Sequence, residues 1–202
     1  MRTASVNTQL VAERLRDSIV LKQAILASEE LLEQVSDIAQ VCIRALQAGG
    51  KIILFGNGGS AADAQHIAAE LMGRYLRERR ALPAIALTTN TSNITAIGND
   101  YSYDEIFARQ MEAIGSAGDV AIGISTSGNS RNVVRAVIAA KHKGLTTIAL
   151  TGRTGGELLG ITDYCLRVPS NQTPRIQEAH IWIGHTVCEI IEEHFSRERN
   201  LS

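Results

Sequence analysis

Cysteine is scarce in this chain of 202 residues: Cys42, Cys165 and Cys188 are an odd number with no C-x-x-C pair among them. Neither a disulfide framework nor a structural zinc site is indicated, and each thiol reads as a small buried apolar side chain. Excess charge is also lacking. With 20 Lys and Arg against 21 Asp and Glu, the formal net charge is -1, which offers no general attraction to nucleic acid or to an acidic membrane surface. The densest basic cluster, Arg77, Arg79 and Arg80, is interrupted by Glu78 and reads as a solvated loop edge. No apolar run approaches the roughly eighteen residues of a membrane span, and the N-terminus carries no apolar signal-peptide core. Neither nucleic acid nor a membrane is an expected partner, and the cytoplasm is the expected location.

What the chain does have is enough apolar material for a core. Hydrophobic residues make up 45% and charged residues 20%, the balance of one soluble globular domain. Its organising stretch is residues 51–75, KIILFGNGGSAADAQHIAAELMGRY. Residues 52–55 suit a strand buried on both faces, and Gly56, Gly58 and Gly59 then permit a tight turn with close backbone approach to a ligand. Ser60 and Asp63 have the spacing of a capping box, so a helix is expected there with its free N–H groups aimed back into the turn, a place that favours anions. His66 and Glu70 lie four apart on that helix and share a face, a familiar metal-ligand spacing. The segment GNGGSA also fits a dinucleotide fingerprint. The following strand, however, runs into Thr88, Thr89 and Asn90 with no carboxylate for a ribose, which disfavours that reading.

Residues 6–48 show helical periodicity, with Leu10, Leu15, Ile19, Leu21 and Ile25 followed by Leu31, Leu32, Val35, Ile38, Val41, Cys42 and Leu46. Two helices fit, ending at Gly49 and Gly50. The apolar stripe of the first is expected to pack on a partner subunit; the plainer reading is a helix that covers its own sheet. From Lys51 onward strands are expected at 51–55, 83–88, 119–125, 146–151 and 164–168. Helical segments are expected near 60–75, 103–116, 130–143 and 175–195, with Gly118 and Gly144 where C-caps belong. The chain thus divides into N-terminal helices, 1–50, and an α/β core, 51–202, with a five-stranded parallel sheet and helices on both faces. Ligands of such sheets bind outside the carboxyl ends of the strands, where the loops 56–60, 90–100 and 125–130 converge.

The loop STSGNS at 125–130 follows an apolar run and opens a helix. Its four hydroxyls, a glycine and a helix N-terminus suit a phosphate monoester held by neutral donors. Ser/Thr-rich turns are also ordinary N-caps, and the place of this one at the end of a central strand favours phosphate. It lacks the G-K-[ST] ending of a nucleotide P-loop, which favours a small phosphorylated metabolite over ATP. The last helix carries Gln177, His180 and His185 among large apolar residues, and a lone histidine in that setting reads as a hydrogen-bonded core residue. Gln177 and His185 are separated by about 12 Å of helical rise and about 80° around the axis, so both reach one metal only if the side chains lean together or come from different subunits.

Taken in order, GNGGS, D-A-x-H-x-A-x-E-L-x-G-R-Y, A-I-G-N-D, G-I-S-T-S-G-N-S and R-I-Q-E-x-H with His185 five residues later resemble the sugar isomerase (SIS) superfamily, and within it the phosphoheptose isomerases. The similarity runs from about residue 20 to 195. It implies a flavodoxin-like sheet, a homotetramer with active sites at subunit interfaces, and one divalent metal per site, commonly zinc. It also implies conversion of sedoheptulose 7-phosphate to D-glycero-D-manno-heptose 7-phosphate, feeding nucleotide-heptose routes to lipopolysaccharide or other surface glycans. Position by position, the metal ligands match His66, Glu70, Gln177 and His185. The substrate contacts match Asn57, Gly58, Gly59, Asn99, Asp100, Ser125, Thr126, Ser127 and Ser130, with Glu70 and Gln177 also facing substrate. Glu70 matches the base and His185 the acid. Pro174 departs from the aspartate found there in some members.

The chemistry agrees with that transfer, since an aldose–ketose interconversion needs a base for the proton beside a carbonyl and an acid for the oxygens. How Glu70 serves as both ligand and base stays open. The rival readings are an isomerase of another sugar phosphate and a non-catalytic tetrameric adaptor for the replication initiator. Related adaptors have lost the counterparts of Glu70 and His185, and this chain keeps both.

Overall fold

The computed structural model describes residues 6–199 of the chain. Two helices lead, α1 (Val6–Leu26) and α2 (Glu29–Gln47). The α/β part runs β1 (Ile52–Gly56), α3 (Gly59–Met72), β2 (Ala84–Ala86), α4 (Thr91–Asp100), a 3-10 turn (Tyr103–Glu105), α5 (Ala108–Ile114), β3 (Val120–Ser125) and α6 (Arg131–His142), then β4 (Thr146–Thr151), α7 (Leu158–Ile161), β5 (Tyr164–Arg167) and α8 (Thr173–Arg199). The strands form one parallel sheet in the order β2-β1-β3-β4-β5, the flavodoxin-like arrangement.

Alternation along the strands sorts the core into two layers. Ile52, Leu54, Val120, Ile122, Ile124, Ile148 and Leu150 face α2, α3 and α8. Ile53, Phe55, Ala121 and Ala149 face α5 and α6 on the other side. A strand buried on both faces needs apolar residues at every position, and this explains the unbroken runs of β1 and β3. At the amino ends, Lys51 Nζ pairs with the buried Asp119 carboxylate at 2.6 Å and the Lys51 backbone N–H donates to it at 2.9 Å. At the carboxyl ends, Gly56 lies opposite Ile124 and Ser125 opposite Thr151, so the glycine turn and the serine loop leave the sheet side by side.

The helices depart from expectation at several points. Residues 90–100 are not a loop: Asn90 accepts from the Asn93 N–H at 3.1 Å and caps α4. The helix expected over 103–116 is shortened to the 3-10 turn and α5. No capping box forms at Ser60 and Asp63, because α3 already begins at Gly59, with Gly58 at φ +56 as its N-cap. Gly144 does end α6: its N–H donates to Lys141 and that of Leu145 to Ala140, the Schellman pattern. Gly118 instead takes φ +90 in the turn 116–119, where the Asp119 N–H donates back to Ser116. Pro174 sits in the first turn of α8, where a missing N–H costs no helical bond. Cys42 and Cys188 are buried, with thiols pushed up to about 12 by desolvation, while Cys165 is half-buried.

The two N-terminal helices behave differently. α2, capped by Ser28, buries Val35, Ile38, Cys42 and Leu46 against the sheet and α8. α1 buries only Leu21 and Ile25 and leaves Leu10, Val11, Leu15, Ile19, Val20 and Leu26 exposed.

Candidate active site

The glycine turn lies at the end of β1 because only residues without a side chain fit there. A Cβ on Gly56 would meet the Ile124 carbonyl at 2.7 Å, and one on Gly59 would meet the Gln177 amide at 2.6 Å. Gln177 of α8 is thereby placed over the start of α3. Asn57 is fixed by a reciprocal amide pair with buried Asn132, Nδ2 to Oδ1 at 2.8 and 2.9 Å, and Tyr103 donates its hydroxyl to Asn57 at 3.1 Å. This pair stitches the glycine turn to the start of α6. Asn99 and Asp100 are exposed at the end of α4, bonded to each other at 2.9 Å.

The serine loop decides between cap and anion cradle. Ser130 occupies the N-cap of α6 but makes no side-chain cap bond; its hydroxyl lies 3.0 Å from that of Ser125. The hydroxyl of Ser127 is 3.5 Å from Ser125 and accepts from the Asn129 N–H. Three hydroxyls therefore face one another while the first N–H groups of α6 keep their side-chain partners unfilled, an arrangement ready for an anion with several oxygens. Gly128 packs so tightly on Gly155 that a Cβ would come within 2.0 Å of its carbonyl oxygen, which holds the loop closed.

Two turns along α3 from the glycine bend, His66, Glu70 and His185 meet. His66 Nε2 lies 2.8 Å from His185 Nε2 and 3.2 Å from Glu70 Oε1, and the three ligand atoms fall within 4.8 Å of one another. Two imidazole nitrogens and a carboxylate, partly open to solvent, form a donor set that could hold a divalent metal ion. The approach of α8 to α3 rests on Gly184, where a Cβ would strike Ile67 Cδ1 at 2.5 Å. Asp63, one turn before His66, is desolvated and raised to about 6, opposed by the neighbouring imidazole. His180 is the core histidine: its Nε2–H donates to the Thr151 carbonyl at 3.1 Å, its Nδ1 is buried without a partner, and burial depresses it to about 4.

One grouping escaped the sequence. Arg79 is buried, not a solvated loop edge, and faces the equally buried Glu192 of α8 with Nε 3.6 Å from Oε1. Burial pulls the guanidinium below the usual arginine range, against the raising effect of Glu192. More than a hundred residues separate the two, so no local pattern could have paired them.

The SIS domain family matches residues 19–152. The phosphoheptose isomerase of Sulfurimonas denitrificans is 55% identical over 183 residues, spanning 91% of this chain and 94% of that one, and the phosphoheptose isomerase of Aquifex aeolicus is 57% identical over 178 residues, 88% and 92% of the two chains. Among solved structures, phosphoheptose isomerase GmhA from Neisseria gonorrhoeae superposes with a TM-score of 0.86 at 47% identity, covering 92% of this chain and 98% of that one. A phosphoheptose isomerase from Francisella tularensis gives 0.90 at 37% identity, covering 94% and 100%. With its sheet order, its glycine and serine loops and its His–Glu–His cluster in place, this chain belongs to the SIS-domain family, among the phosphoheptose isomerases.

Proposed function

We propose that this protein is a sugar-phosphate isomerase that converts sedoheptulose 7-phosphate to D-glycero-D-manno-heptose 7-phosphate, at a site built from His66, Glu70, Gln177 and His185 together with the glycine and serine loops. The observation that carries this reading is the meeting of Glu70 and His185 beside His66, an acid–base pair within one chain.

The serine loop and the N-terminus of α6 would hold the phosphate, with Ser125, Thr126, Ser127 and Ser130 supplying neutral donors. Asn57, held by Asn132, and the backbone of Gly58 and Gly59 would orient the hydroxyls, assisted by Asn99 and Asp100. Glu70 would take the proton from the carbon next to the carbonyl and return it to the neighbouring carbon, while His185 exchanges a proton with the oxygens. A divalent cation, zinc being one that two borderline imidazoles and a carboxylate suit, would supply Lewis-acid polarisation of the carbonyl oxygen. The exposed apolar face of α1 supports assembly with further copies, and we propose a homotetramer with its sites at subunit interfaces. The product would enter nucleotide-heptose synthesis for surface glycans in the cytoplasm.

Incubation with sedoheptulose 7-phosphate, with and without a chelator, tests the reading. Chelator-sensitive product is expected, and Glu70→Gln or His185→Ala should abolish turnover while circular dichroism stays unchanged. Near-normal turnover in either variant contradicts the assignment. No product at all, together with tight binding to the replication initiator, favours the adaptor.

A further inference from the structure

His185 has a second neighbour that the chemistry above does not use. The ring of Tyr75 stacks on its face, with centroids 5.4 Å apart and planes at 23°, while His66 meets it edge-on. Tyr75 belongs to the segment between α3 and β2, which has no strand or helix of its own and is largely exposed. Such a segment should wander, yet it is fastened at its backbone. The Glu192 carboxylate accepts three successive N–H groups, from Tyr75 at 2.7 Å, Leu76 at 2.5 Å and Arg77 at 2.8 Å. Arg79 completes the fastening from the other side, donating to the carbonyls of Gly73, Arg80 and Glu70 at 2.9, 2.9 and 2.6 Å.

Position on the helix matters as much as bonding. His185 and Glu192 are seven apart on α8, about 10 Å along the same face. One face of α8 therefore holds the backbone of Tyr75 through Glu192 and receives its ring on His185. Glu192 and Arg79 are each nearly fully buried, at 1% and 6% exposure, and burying two charges carries a desolvation cost that a plain loop anchor does not require. An imidazole bonded at one nitrogen keeps some freedom to tilt about its Cβ–Cγ bond, and a ring stacked on its face narrows that freedom.

Resting on the isomerase reading, we propose that Tyr75 is a positioning residue for His185, setting the plane of its ring, and that the Glu192–Arg79 pair holds Tyr75 in place. The ring, and not the hydroxyl, carries the effect.

Two variants and two readouts test this. Tyr75→Leu should lower kcat about tenfold with KM within about twofold, since orientation is lost but ground-state binding is not. Tyr75→Phe should restore kcat to near the wild-type value. In metal-free protein labelled at histidine, the Tyr75 part of the ring-current shift of the His185 carbon-bound protons should be lost in the leucine variant and persist in the phenylalanine variant, the His66 part remaining in both. An unaltered kcat for Tyr75→Leu, a phenylalanine variant as impaired as the leucine one, or His185 shifts that ignore Tyr75 would each overturn the proposal. Should the wild-type protein fail to isomerise, the functional reading falls, while the nuclear shifts still decide whether Tyr75 orients His185.

Discussion

His180 shows what burial does to a single titratable side chain. Its folded value near 4 lies below the 6.5 of an exposed histidine, so the unfolded chain binds the proton more readily. Its contribution to stability is fully present above about pH 6.5 and is lost as the pH falls toward 4, an effect of about 3 kcal/mol at most. Asp63, raised to about 6, acts with the opposite sign, losing stability as pH rises through that value. The difference between wild type and His180→Gln cancels Asp63. Urea unfolding from pH 7 down to pH 4.5 should show a steeper acid loss in the wild type than in the variant, and parallel curves would rule the account out. The general expectation for a histidine among large apolar residues holds for His180 and not for His185, five residues on, so the sequence setting alone did not separate the two. Arg79 does not read correctly from sequence, because its partner sits on the last helix and local charge density is the only signal its neighbours give.

The site is assembled by two helices that nearly touch. Gly184 lets α8 close on α3, and the residues next to the contact, Ile67 and Gly184, are the sequence neighbours of His66 and His185. Gly184→Ala gains about 1 kcal/mol of helix propensity but costs about 1–3 kcal/mol of overpacking against Ile67, which is buried and cannot swing away. The net is therefore a loss of up to about 2 kcal/mol, and the widened gap falls on the proposed metal ligands. Competition with a chromogenic chelator should show zinc held at least tenfold more weakly, with a melting temperature lowered by no more than about 8 °C. Equal zinc retention would show the spacing to be unimportant. The strands and α6 were legible in the sequence because apolar runs and a C-terminal glycine leave strong marks. α4 was not, since TSNITAIGND is rich in weak helix formers and buries no residue, so packing and the Asn90 cap define it. The serine loop was legible as a loop, but only the orientation of Ser130 separates an anion cradle from a cap.

At the scale of the whole molecule, α1 leaves an apolar face uncovered among the described residues. Leu15 and Ile19 of α1 are 61% and 47% exposed, four residues apart on one face beside Val11, and the sheet does not reach them. In the proposed tetramer this face is covered by another copy. Leu15→Glu with Ile19→Glu should yield a smaller species by size-exclusion chromatography with light scattering, while α2 and the sheet, which own a complete core, stay folded. An unchanged mass would place the interface elsewhere. The sequence could announce an apolar stripe on α1 but not which part of it the chain's own body uses, because only packing reveals that Leu21 and Ile25 turn inward.

His66 and Glu70 are synthesised well before His185, which arrives on α8, more than a hundred residues later. If the cluster holds a divalent ion, as proposed, the first two residues alone would hold it only weakly during translation, and firm capture would wait until α8 had docked. In the proposed metal enzyme, loading would therefore depend on α8, because a product that stops before this helix would lack the third member of the cluster.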